Sequence, residues 1–141
     1  MFLNRFAPAE KKGFLELALL AVRADDCITT EEVQFVEEIR LGLGIDEDAF
    51  INHILEDPKM ADAVAAFTND EAKRLAYLEL VALTYVDGQF DPTESTFLGE
   101  VQAAFRIDDA TRDACHDWAG RMQGLREEAA RLTQNGAATK P

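Results

Sequence analysis

Apolar residues along this chain return every three or four positions. Leu15, Ala18, Leu19 and Val22 form one such set, and Leu78, Val81, Ala82 and Tyr85 form another. Both follow the spacing of one face of an α-helix. No run alternates in the manner of a strand. Helix starts are signalled by Thr29-x-x-Glu32, Thr68-x-x-Glu71 and Asp91-Pro92-x-Glu94, in which a side-chain oxygen and a first-turn carboxylate satisfy free N–H groups. Asp46, Asp57 before Pro58, and Asp108 are further caps, and Pro8, Pro58 and Pro92 suit a first helical position. These signals predict seven helices, at 8–24, 30–43, 47–56, 58–66, 69–86, 92–105 and 109–133. Residues 134–141, with Asn135-Gly136 and no apolar anchor, are expected to be a flexible tail.

Shifting the chain against itself by 62 residues superimposes Asp25 on Asp87, Glu32 on Glu94, Phe35 on Phe97, Glu38 on Glu100, Ile45 on Ile107 and Asp46 on Asp108. Apolar matches fill the gaps: Ile28 with Phe90, Val36 with Leu98, Ile39 with Val101, Leu43 with Phe105. The fold expected is therefore all-α, with two repeated helix-turn-helix units (about 14–57 and 77–118) packed as one compact bundle over residues 1–133. The last helix carries an apolar stripe at Ala110, Ala114, Trp118, Met122, Leu125, Ala129 and Leu132, expected to lie across both units. Lys11-Lys12 and the apolar stretch after it imitate a signal peptide. Glu16 interrupts that stretch, however, and Leu78-Glu79-Leu80-Val81-Ala82-Leu83 repeats it mid-chain, so both read as core helices.

Composition narrows the classes of partner. Among 141 residues, 27 acidic side chains stand against 14 basic ones, a net charge of −13. That balance repels nucleic acid and anionic membrane surfaces, and it leaves cations or a basic protein partner. The excess sits in two blocks, −10 over residues 25–57 and −6 over residues 87–118, each opening at an Asp. Two cysteines, Cys27 and Cys115, are too few for a disulfide framework and point to a reducing cytoplasm. No apolar run approaches the ~18 residues of a membrane span.

The chemistry gathers where the two blocks open. The first turn reads Asp25-Asp26-Cys27-Ile28-Thr29-Thr30-Glu31-Glu32, the second Asp87-Gly88-Gln89-Phe90-Asp91-Pro92-Thr93-Glu94. Glu32 and Glu94 stand where a capping box and the helix dipole favour a carboxylate. Asp25 and Asp87 end helices, where a negative charge meets the negative pole and loses ~0.3–1 kcal/mol. A pair of equivalent positions breaking one local rule is read either as a site or as Asp side chains bonded to the next turn. An EF-hand is excluded, because its first and third ligand places would fall on Leu83 and Tyr85, or on Ala21 and Arg23. If the two turns face each other, four carboxylates converge. All-oxygen ligation of that kind suits Ca²⁺, Mg²⁺ or Mn²⁺.

These paired turns, with the linker around Asp57-Pro58, resemble the TerB-like domain of tellurite-resistance proteins. They also resemble the N-terminal helical module of membrane-anchored DnaJ-type co-chaperones. The resemblance runs from about Phe14 to Leu132 and implies an all-helical fold with a stress-response role. It further implies an acidic cluster holding a divalent cation or other ligand, which by position is Asp25, Glu32, Asp87 and Glu94. Asp26 departs from the pattern, which prefers Gly there, and no His-Pro-Asp tripeptide is present to support DnaJ activity.

Other constellations carry less. Cys115-His116-Asp117 are consecutive on a helix and point about 100° apart, so they do not converge; Cys115 is expected in the core and His116 beside Asp113. His53 is expected to face solvent, and Gly120-x-x-x-Gly124 to let helices approach closely. No nucleophile–base pair or phosphate loop is evident, so a non-enzymatic module is expected. Three functions stay open: the cation- or ligand-binding module, a protein–protein module docking a basic partner on its acidic face while the turn carboxylates only cap helices, and an apolar-ligand carrier lined by Phe35, Tyr77, Tyr85, Phe97, Phe105 and Trp118.

Overall fold

A computed structural model describes residues 3–24, 30–48, 59–85 and 92–138. The described residues are helical and contain no strand. After a short 3-10 turn (Leu3–Arg5) come α1 (Pro8–Ala24), α2 (Thr30–Leu43), α3 (Met60–Ala65), α4 (Asp70–Thr84), α5 (Pro92–Phe105) and α6 (Asp109–Ala138). The expected helix at 47–56 is described only at its first two residues, which are helical; the rest of it, with His53 and the Asp57-Pro58 linker, lies outside the described residues.

Helices α1 and α4 form the centre. Helix α1 packs on α2, α3, α4 and α5, and α4 packs on α5 and α6 as well. Their sequences explain the position: Phe14, Leu15, Leu17 and Ala18 are fully buried, as are Ala76, Leu80 and Val81. A helix apolar on most of its circumference is stable only when surrounded. Both central helices begin at one end of the bundle. Phe6 stacks on Phe14 with ring centroids 5.3 Å apart and meets Phe67 edge-on at 5.7 Å, and Phe67 meets Phe105 edge-on at 5.4 Å. Arg5 closes the same end through a 2.6 Å ion pair with Glu71 in the first turn of α4. Such aromatic pairs contribute ~0.5–1.5 kcal/mol each beyond area burial. The exposed ion pair adds at most about 1 kcal/mol.

Caps account for the helix boundaries. Pro8 opens α1, and Glu10 reaches back to accept from the Ala7 N–H at 2.8 Å, which is half of a capping box. Asn69, not Thr68, caps α4: its side-chain oxygen accepts from the Ala72 N–H at 2.8 Å. Glu71 is thereby free to pair with Arg5 instead of closing a capping box. Asp108 caps α6 as expected, accepting from the Thr111 N–H at 2.7 Å.

The repeat is visible in the backbone. At the end of α2, the Ile45 N–H donates to the Arg40 carbonyl at 3.1 Å and the Gly44 N–H to Leu41 at 3.1 Å. At the end of α5, 62 residues on, the Ile107 N–H donates to Gln102 at 3.0 Å and the Arg106 N–H to Ala103 at 3.2 Å. Both are Schellman turns, with Gly44 (φ 72°) and Arg106 (φ 56°) in the left-handed position. A side chain locks each: Arg40 Nη1 donates to the Ile45 carbonyl at 2.9 Å, and Gln102 Nε2 to the Ile107 carbonyl at 3.0 Å. The matched apolar positions Val36 and Leu98, Ile39 and Val101, Leu43 and Phe105 are all buried.

Two expectations are corrected. The stripe on α6 does not lie across both units. The helix packs chiefly on α4 through Cys115 and Ala119, whereas Ala110, Ala114 and Ala129 are exposed and Leu125 and Leu132 are 63% and 68% exposed. The buried strip is Cys115–Ala119, one step round the helix from Ala114, and α6 outruns the body it packs on. It also continues to Ala138, past the expected end at 133. Nor do Gly120 and Gly124 mark a close approach: a Cβ at Gly120 would stand an ordinary 3.8 Å from Tyr85, and one at Gly124 would meet nothing. The close approach is at Gly13, where a Cβ would come 2.7 Å from Ala66 Cβ and 2.8 Å from the Ala63 carbonyl. Helix α3 lies that near to α1.

Candidate functional site

The four carboxylates singled out in the sequence fall at the two helix junctions. Helix α1 ends at Ala24, immediately before Asp25, and Glu32 is the third residue of α2. Helix α4 ends at Thr84, three residues before Asp87, and Glu94 is the third residue of α5. Asp25 and Asp87, and the side chains of Glu32 and Glu94, lie outside the described residues. Among the described residues, no three His, Cys, Asp or Glu side chains gather as a metal-binding group.

The consecutive triplet on α6 diverges as helical geometry requires. Cys115 is buried, and burial pushes its thiol up, so it is held protonated and poorly nucleophilic. His116 turns towards α4, where its Nδ1 lies 3.0 Å from the Tyr85 hydroxyl and the rings meet edge-on. The expected partner, Asp113, is paired with Arg112 at 2.9 Å. Burial, and then the Arg112 charge, lower the His116 pKa against a smaller opposing pull from Asp113. Asp117 points outward to Arg121 at 3.0 Å. The Tyr85–His116 contact joins positions 31 residues apart, and no local pattern announces it.

The aromatic residues named for a carrier are largely consumed by packing. Tyr77, Phe97 and Phe105 are buried in the core, and the Phe35 side chain lies outside the described residues. Burial pushes the Tyr77 hydroxyl up to about 12. A cavity of about 310 Å³ beside Tyr77 is bordered by Leu98, Arg112 and His116. A larger cleft, about 490 Å³, opens between the start of α4 and the end of α5. Lys73, Arg74 and Arg106 border it with Asp70, over Phe105 and Ile107. Sequence reasoning passed over these three cations, since they are spread over 34 positions of an acidic chain and only the Schellman turn of α5 brings the third to the first two.

The acidic excess is visible on α2. Glu37 and Glu38 are exposed there around Leu41, which is 63% exposed, and Asp46, Glu47 and Asp48 follow at its C-terminal end. No described helix is long and apolar enough to cross a membrane. No protein-family model, curated protein or solved structure matches the chain.

Proposed function

We propose that this chain is a non-enzymatic binding module of the TerB-like kind, acting in a cytoplasmic stress-response setting. In this reading it takes a divalent cation (Ca²⁺, Mg²⁺ or Mn²⁺) at its two helix junctions. Asp25 and Glu32 supply ligands from the first junction, Asp87 and Glu94 from the second. One observation supports it above the rest: the second helices of the two units end alike. They close on equivalent Schellman turns 62 residues apart, and the helices leading into the junctions, α1 and α4, start at one end of the bundle and pack on each other. If the two acidic junctions meet, their carboxylates repel each other when empty, and a cation relieves that repulsion. Carboxylate oxygens are the ligands that hard divalent ions take.

The test is calorimetric titration of the wild type beside the D25A/E32A/D87A/E94A variant, with Ca²⁺, Mg²⁺, Mn²⁺ and Zn²⁺. Saturable heat in the wild type alone is expected, with a melting temperature that rises at millimolar ion. Equal and negligible heats in both proteins would overturn the reading. The exposed Glu37, Glu38 and Leu41 surface of α2 favours a second reading, in which the module docks a basic protein partner. Binding of that kind weakens steeply with salt and survives in the quadruple variant.

A further inference from the structure

We infer that the cleft between the start of α4 and the end of α5 binds a phosphate group, held by Lys73, Arg74 and Arg106. The chain has almost twice as many carboxylates as cations, so partners for basic side chains are plentiful. Arg5, Arg40, Arg112 and Arg121 do so. Lys73, Arg74 and Arg106 share one cleft, and among the described residues none of them forms an ion pair. Arg74 lowers the pKa of nearby Asp108 only as the smallest of several influences. Asp70 on the cleft wall and Asp108 near Arg74 still leave the cleft net positive on a molecule whose total is −13.

Arg106 makes the arrangement more specific. It occupies the left-handed position that the equivalent turn gives to Gly44, and a side chain there costs about 1 kcal/mol. The same backbone turn places residue 106 on the cleft. Two arginines and a lysine around one space suit an oxyanion with several acceptor oxygens, which takes forked N–H bonds from each guanidinium. Three cations on one cleft favour a phosphate monoester, which carries roughly −1.5 to −2 at neutral pH, over a single carboxylate. The 490 Å³ volume falls within the range of about 300–1,000 Å³ typical of small-molecule sites. A long polyanion does not fit this setting, because beyond the cleft it meets the acidic surface.

The experiment is an NMR titration of the ¹⁵N-labelled full chain with inorganic phosphate and then phenyl phosphate, against sodium chloride at matched ionic strength. Saturable shifts of the Lys73, Arg74 and 104–107 amides are expected with both phosphates. Tighter binding of phenyl phosphate identifies an ester as the ligand class, and equal binding identifies free phosphate. R74Q/R106G should weaken binding by at least about tenfold, while R106K, which keeps the charge and loses the fork, should weaken it less. Removing the strained residue favours the turn, so the double variant should melt cooperatively. If it does not, K73Q supplies the same reading. Absence of saturation, shifts reproduced by chloride, or unchanged affinity in the charge-removing variants would overturn the inference.

Discussion

The two Schellman turns show how one backbone is kept by different means. At the end of α2 the left-handed residue is Gly44, with open space where a Cβ would stand, and its neighbour Arg40 is engaged with Glu37 and the Ile45 carbonyl. At the end of α5 the left-handed residue is Arg106, and Gln102 replaces Arg40 as the lock on the turn carbonyl. The positive charge has moved from the lock to the apex. In the first unit it is neutralised against the helix, whereas in the second it faces a cleft already holding Lys73 and Arg74. The same hydrogen bonding thus pairs the basic residue of one turn with a carboxylate and puts that of the other beside a cleft.

The broadest test of this equivalence is the core beneath the turns. Ile39 and Val101 are matched positions, 2% and 0% exposed. Ile39→Ala should cost ~2–5 kcal/mol in urea unfolding. Val101→Ala should cost less, by about the transfer free energy of one methylene, ~0.8 kcal/mol. A loss under about 1 kcal/mol at Ile39 beside a full loss at Val101 would mean that the first unit does not share a cooperative core with the second. Gly13 tests a place where the units differ. Its match is Leu75, a side chain on the same relative position of α4, yet α1 can carry only a hydrogen there because α3 lies against it. Gly13→Ala should destabilise by ~1–3 kcal/mol through overpacking, read by thermal melting.

At the turns themselves the two substitutions should have opposite signs. Gly44→Ala forces a side chain into the left-handed region and should cost ~1 kcal/mol, and Arg106→Gly should stabilise by a similar amount. Paired melting curves check this. Two losses, or two gains, would show that the matched turns do not bear matched strain.

How much of this was legible follows from the range of each interaction. The bounds of α1, α2 and α5 coincide with the expected ones, because Pro8, the residues around Thr30 and Pro92 act on their own first turns. The 62-residue register survives in Val36, Ile39 and Leu43 and their matches, since burial preserves apolar character. Local signals also misled. Thr68 and Asn69 can both cap, and only the Ala72 hydrogen bond chooses between them. The α6 stripe has good helical spacing, but periodicity does not reveal how far a partner extends alongside, and Leu125 and Leu132 lie beyond it. Gly13, the Tyr85–His116 contact and the Lys73–Arg74–Arg106 cleft each join segments distant in sequence, so they became visible only when the helices were packed. Of the four candidate ligands, helix boundaries support the placement of Glu32 and Glu94 in first turns.

Titration separates the units further. Leu15 in the first is matched by Tyr77 in the second, so only the second central helix buries a hydroxyl. Burial raises the Tyr77 pKa from 10 to about 12. The unfolded chain therefore releases this proton near its ordinary value while the folded protein still holds it. The associated stability is fully present below pH 10 and is lost as pH rises to about 12. Tyr77→Phe should flatten that alkaline limb in urea unfolding followed between these pH values. An unchanged limb would assign the alkaline loss to another group.

The smallest expected effect lies at the start of α6. The backbone N–H of Thr111, and next its hydroxyl, hold the Asp108 carboxyl below its ordinary 3.8, with Arg74 adding a weaker pull. Because the folded pKa is depressed, the cap contributes above the ordinary value and fades as pH falls through the folded one. Asp108→Asn keeps a side-chain oxygen for the Thr111 N–H but does not titrate. Its stability should therefore run nearly parallel to the wild type at neutral pH, and the two should converge below about pH 4 as the wild-type cap is protonated. The site is exposed, so raising the salt concentration should shrink the Arg74 contribution while leaving the hydrogen-bonded part in place. A wild-type acid limb that loses all dependence on residue 108 at high salt would make the cap a matter of charge alone. A limb that persists would assign it to the two Thr111 hydrogen bonds.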